Sequence, residues 1–211
     1  MSFRDRFQNL KETVGQWTDS TGGGSLDRKI ERNLAEMEGG TEIERTAAVK
    51  ALVIQAQTDD KWADPIITSF LRVLPDQLAS PQEAIIDGLL ELRKVKVSRE
   101  EEIFESIQET LDSPYPSVRS KVVDIWTRFS LKSDTKTSDT IAVLFEMLSD
   151  DDKDVRYQTQ ESLSKILHTV PKVALPELKN AIGDDDWRVT YHSIVLLTEF
   201  AKKYPDPSVV L

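Results

Sequence analysis

Three valines, Val118, Val155 and Val189, stand 37 and 34 residues apart, and each follows an apolar residue (Leu111, Leu148, Ile182) by seven positions. The intervening stretches are polar turns: Asp112-Ser113-Pro114-Tyr115-Pro116-Ser117, Ser149-Asp150-Asp151-Asp152-Lys153-Asp154, and Gly183-Asp184-Asp185-Asp186-Trp187. Apolar side chains recur at helical spacing after each valine: Val122, Ile125, Trp126 and Phe129, then Thr159, Leu163, Ile166 and Leu167, then Leu196, Leu197 and Phe200. They recur before each turn as well, through Ile103 and Ile107, through Ile141, Leu144 and Phe145, and through Val173, Leu175 and Leu178. A helix–turn–helix unit repeated at this period cannot bury its own apolar face alone, so such units must stack.

The upstream half carries the same pattern more loosely. Leu26, Ile30, Leu34 and Met37 lie on one helical stripe behind the caps Ser25 and Asp27, and Gly39-Gly40 stops that helix. Thr41 and Glu44 have capping-box spacing and open a helix predicted to bury Ile43, Ala47, Leu52 and Ile54 before Thr58-Asp59-Asp60. A second pair holds Trp62, Ile66, Ile67, Phe70, Leu71 and Leu74, an irregular turn from Pro75 to Pro81, and then Ile85, Ile86, Leu89, Leu90 and Leu92. Five pairs thus occupy residues 26–203. Tyr204-Pro205-Asp206-Pro207 ends the last helix, and residues 204–211 are expected to form a tail.

Ahead of the pairs, Phe3, Phe7, Leu10, Val14 and Trp17 are spaced four, three, four and three apart, one stripe of an amphipathic helix over residues 1–17. Residues 18–25 are a flexible, Gly-rich linker by composition. The helix is compatible with three roles: covering the open end of the stack, docking in a groove of a partner or a second copy, or lying on a membrane with Phe3, Phe7 and Trp17 buried. Arg4, Arg6 and Lys11 balance Asp5, Glu12 and Asp19, which argues against anionic lipid.

The formal charge of −10 therefore falls wholly on residues 26–211. Such a surface opposes phosphate binding, which excludes nucleic acid, and favours a protein partner with a basic or mixed-charge surface. The chain has no cysteine, so disulfides, thiolate chemistry and Cys-based zinc sites are excluded. No apolar run is long enough to span a bilayer, and no signal-peptide core is visible. The expected location is cytoplasmic, peripheral to a membrane if residues 3–17 bind lipid.

Leu148-x-Asp150-x4-Val155-Arg156, Pro176-x-Leu178 ahead of Ile182-x-Asp184-x4-Val189, and Leu111-x6-Val118-Arg119 resemble the HEAT-repeat family. The resemblance covers residues 26–203 and is firmest from about residue 100 onward. It implies an all-α, right-handed α-solenoid of about five HEAT-like pairs, with second helices on the concave side. It also implies a polar ladder between units through Asp150, Arg156 and Asp184, with Arg119 at the matching basic position. This sequence departs from the pattern at Ser113, at the third unit's acidic position, and at Thr190, with Arg188 preceding Val189 instead.

No catalytic constellation emerges. The Asp runs lack the glycine and distal glutamate of a calcium loop and read as helix caps. His168 and His192 have no ligand partner at metal spacing, and Gly22-Gly23-Gly24 lacks the context of a phosphate loop. Neither a cofactor nor a metal is implied. The reading is a non-enzymatic scaffold or adaptor whose concave face and turns bind protein through Arg119, Arg128, Arg156, Gln160, Trp187, Arg188 and His192. Residues 3–17 would be a second docking element. Trp187 has two readings, an exposed hot spot or a cover over the end of the core, whereas Trp126 reads as core. The alternative by resemblance is an enzyme-associated HEAT-like protein similar to bilin lyases, for which no residue marks a tetrapyrrole pocket.

Overall fold

The computed structural model describes residues 25–131 and 137–204. The N-terminal stripe from Phe3 to Trp17, its linker up to residue 24 and the tail beyond Tyr204 lie outside the described residues. Ten α-helices are described: α1 (Ser25–Gly39), α2 (Glu42–Thr58), α3 (Ala63–Val73), α4 (Ala79–Leu92), α5 (Glu100–Glu109), α6 (Pro116–Ser130), α7 (Thr137–Glu146), α8 (Lys153–Thr169), α9 (Pro171–Ala181) and α10 (Trp187–Lys203). They reproduce the five pairs expected from the sequence, and no strand occurs among the described residues. Two compact units divide the chain after Glu109.

In the first unit, α2 packs against both α1 and α4, and α3 packs against α2 and α4. The turn into α2 is set locally. Gly40 N–H donates to the Glu36 carbonyl at 2.9 Å, and a side chain at Gly40 would strike that same oxygen at 2.5 Å. Thr41 then caps α2: Glu44 N–H donates to its hydroxyl, and the Glu44 carboxylate accepts from Thr41 N–H, completing the expected box. These donors hold the Glu44 carboxyl below its ordinary range.

The buried face of α2 consists of Ala48, Val49, Leu52, Gln55 and Ala56. Ile43 is 82% and Ile54 63% exposed, and Ala47 is exposed with them. Leu52 is buried as expected; the other three are not. The sequence of α2 is apolar on two faces, and the packing of α1, α3 and α4 covers one of them.

Gly88 sits inside α4 where that helix crosses its neighbours. A Cβ there would come 2.8 Å from Phe70 of α3 and 2.8 Å from Val53 of α2. The missing side chain permits this close approach, at a helix-propensity cost of about 1 kcal/mol.

In the second unit α6, α8 and α10 lie side by side, while α7 and α9 pack against each other and against these second helices. Val118, Val155 and Val189 are all buried, as are Trp126 and Leu163 eight residues after their valines. Leu197, the equivalent in α10, is exposed, contrary to the core position its periodicity predicts. In α6 and α8 this position is buried, whereas α10 has no described helix beyond it.

Gly88→Ala, which in an ordinary helix interior would stabilise by about 1 kcal/mol, should instead destabilise by about 1–3 kcal/mol through overpacking. The urea midpoint of the purified chain measures this.

Candidate interaction surface

The acidic turns of the second unit are built from helix caps. Asp152 opens α8, accepting from Asp154 N–H at 2.9 Å and Val155 N–H at 3.2 Å. Asp186 opens α10, accepting from Arg188 N–H at 2.8 Å. Asp150 and Asp184 each accept from the backbone two residues on, at 2.8 Å in both cases. These bonds account for the residue type, because an aspartate satisfies N–H groups at the positive end of a helix. Among the described residues no group of three or more His, Asp or Glu side chains is arranged to hold a metal ion.

The polar ladder forms between α6 and the turn before α8. Arg119 Nε and Nη2 donate to Asp150 Oδ2 and Oδ1 at 2.7 and 2.8 Å, and Nη1 donates to the Ser113 carbonyl at 2.6 Å. The Asp150 side chain is only 4% exposed, so this fork is shielded from solvent and from salt. Arg156 does not continue the ladder to Asp184. It folds over its own turn and donates to the carbonyls of Asp150 and Asp151. Arg188 supplies the next link backwards, with Nη1 donating to Asp151 Oδ1 at 3.0 Å and the rest of its fork engaging Asp186. That bond pulls the Asp186 carboxyl below its usual range.

Of the residues expected to meet a partner, Arg119 is thus committed to the ladder and Arg156 to the carbonyls of its own turn. Arg128 is exposed and pairs with Asp124 on its own helix. His192 Nδ1 lies 2.6 Å from Gln160 Oε1, linking α10 to α8. Burial, followed by the Arg156 charge, pushes His192 below its ordinary pKa. Trp187 does not cover the core: it is 73% exposed at the first turn of α10. Phe3, Phe7, Leu10, Val14 and Trp17 lie outside the described residues.

Sequence reasoning missed Tyr157, Tyr191 and Ile194, all exposed. Tyr157 and Tyr191 each stand two residues after the repeat valine, a recurrence visible in the sequence itself. Trp187, Tyr191 and Ile194 follow at helical spacing along one side of α10, and the Tyr191 ring meets His192 edge-on at 5.3 Å. The surface therefore combines aromatic anchors with guanidinium and imidazole groups and an acidic edge at Asp151 and Asp185. No helix among the described residues is long and apolar enough to cross a membrane.

These features define a helical-repeat protein. The family model described as HEAT repeats matches residues 104–198. Two solved structures share the fold. One, from work showing that Crescerin uses a TOG domain array to regulate microtubules in the primary cilium, is 18% identical with a TM-score of 0.57 over 93% of this chain and 85% of that one. The other, from a structural study of microtubule plus end tracking by XMAP215, CLIP-170 and EB1, is 16% identical with a TM-score of 0.50 over 93% of this chain and 83% of that one. No curated protein matches the chain.

Two predictions follow the geometry. Arg119→Ala strands a buried carboxylate and should cost about 3 kcal/mol in urea unfolding. Arg188→Ala should leave the unfolding midpoint nearly unchanged on its Asp151 side, because Asp151 is 97% exposed. A further prediction concerns His168, whose ring stacks on Phe200 at 5.7 Å and meets Tyr204 at 5.6 Å. Burial, then the Lys203 charge, lowers its pKa from 6.5, against an opposing effect of Glu199. The unfolded chain then binds the proton more readily, so this stability is complete above 6.5 and is lost as pH falls through the lowered value. His168→Phe should flatten the dependence of unfolding free energy on pH between about pH 7 and 5.

Proposed function

We propose that the chain is a non-enzymatic protein-binding scaffold that takes its partner on the second unit, along the exposed row of α8 and α10 and the adjoining acidic turns. The carrying observation is the exposure of Trp187 and Tyr191 beside Arg188 and His192. A large aromatic held at the first turn of a capped helix offers apolar contact at little entropic cost, and exposed aromatics and arginines dominate interface energetics. Asp151, Asp185 and the overall charge of −10 match a partner with a basic or mixed-charge rim.

The fold alone connects this chain to the two microtubule-related structures, at 18% and 16% identity. Tubulin is consequently the first defined ligand to test, alongside proteins retained from native lysate.

The test compares wild-type protein with Trp187→Ala/Tyr191→Ala by co-sedimentation with tubulin and by affinity capture, with melting temperature as the fold control. Loss of affinity by about tenfold or more, with unchanged melting, is the expected result. Equal retention of the same partner by both proteins would remove this surface as the binding site. Measurable turnover of a small-molecule substrate would overturn the scaffold reading itself.

A further inference from the structure

The outer side of α10 is uncharged where a surface helix ordinarily carries its charges. Val189, Ser193, Leu196 and Phe200 form the buried face. Trp187, Tyr191, Ile194, Thr198 and Ala201 lie opposite them, all exposed and spaced four, three, four and three apart, the period of a helix–helix seam. Thr198 donates its hydroxyl to the Ile194 carbonyl at 2.8 Å, which leaves its methyl as the group offered outward. Leu197 widens the stripe along one edge. The repeat does not require this. In α8, 34 residues earlier, the first four of these positions carry Lys153, Tyr157, Gln160 and Ser164, with one aromatic among them. The two ends of the stripe carry opposite charge. Asp184 and Asp185 are exposed ahead of the first turn, and Lys202 and Lys203 are exposed in the last. Neither Asp185 nor Lys202 has an ion-pair partner among the described residues.

We infer that this face, read above as protein-binding, takes a second copy of the chain, α10 against α10 and antiparallel, an assignment that rests on that reading and names the occupant. Charge sets the direction. Parallel helices would place aspartates on aspartates and lysines on lysines. Antiparallel helices bring the Asp184-Asp185 turn of each copy to Lys202 and Lys203 of the other, and their dipoles oppose. Side-chain size sets the register. With Trp187 facing Thr198 and Tyr191 facing Ile194, the largest ring of each copy meets a small residue, and Lys202 comes level with Gly183 at the start of the acidic turn. The contact is one helix wide and about 26 Å long, well short of a permanent dimer interface. It is therefore weak and reversible, with a Kd between about 1 and 100 µM. Another protein taking Trp187 and Tyr191 has to displace it.

Sedimentation equilibrium of the full chain, from about 2 to about 200 µM, reads the association. A monomer–dimer equilibrium is expected. Ile194→Glu sets two carboxylates near the two-fold axis and should weaken the dimer about tenfold or more with melting unchanged. Ile54→Glu, the same change on the exposed side of α2, should leave it intact. Lys202→Glu should weaken the dimer about threefold or more, and adding Asp185→Lys should restore it, because the exchanged charges meet again only between antiparallel copies. Should Ile194→Glu lower the melting temperature, the charge exchange carries the test alone. A chain still monomeric at about 200 µM, a dimer indifferent to Ile194→Glu in a folded protein, or a charge exchange without rescue would overturn the assignment. A monomeric chain whose partner capture still falls with Trp187→Ala/Tyr191→Ala keeps the scaffold reading and loses only the self-contact. A dimer with the expected variant pattern, and capture untouched by those two substitutions, does the reverse.

Discussion

A helix pair buries its apolar surface only by sharing it, and every second helix in this chain has two flanks to share. In the second unit α8 meets α6 of the pair before on one flank and α10 of the pair after on the other. Where both neighbours are present, as for α8, the core positions close completely: Thr159, Leu163, Ile166 and Leu167 are all buried. Where no described neighbour follows, an equivalent position opens, as Leu197 does on α10.

Charge is layered on that scheme with a different logic. The acidic turns look like binding sites in one dimension, yet most of their aspartates work on the backbone, capping α8 and α10 and closing tight turns. Asp150 goes further. Its fork with Arg119 ties one pair to the next through a shielded, bidentate contact whose geometry admits a single register. Removing one partner of such a pair leaves a buried charge uncompensated, so the cost of breaking it exceeds its net contribution. Asp185, and Asp151 where it accepts from Arg188 in full exposure, give the edge its negative potential.

Much of the candidate surface could be found from the residues. Trp187 in an acidic turn stood out as soon as the repeat was aligned, and its exposure follows from its place at the start of a capped helix. The recurrence of tyrosine two positions after Val155 and Val189 carried the same information. The roles of the arginines did not follow from alignment. Arg119, Arg156 and Arg188 occupy comparable places beside their valines, but one is engaged by a buried carboxylate, one by carbonyls of its own turn, and one by an exposed aspartate of the previous turn. Which acceptor lies within reach depends on the path of each turn, and a spacing rule does not contain that path.

The sequence by itself determined the helices, their caps and the number of pairs. Thr41 with Glu44, Asp152 and Asp186 act on backbone groups within a few residues, and apolar periodicity acts within a single helix, so both survive in one dimension. Tertiary structure alone decided which of two apolar faces of α2 is buried, why Gly88 is needed where α4 crosses Val53 and Phe70, and why Leu197 is exposed where Leu163 is not. Burial is a property of neighbours. An identical periodic position is core or surface according to whether another helix lies against it, and that is settled only when the pairs assemble.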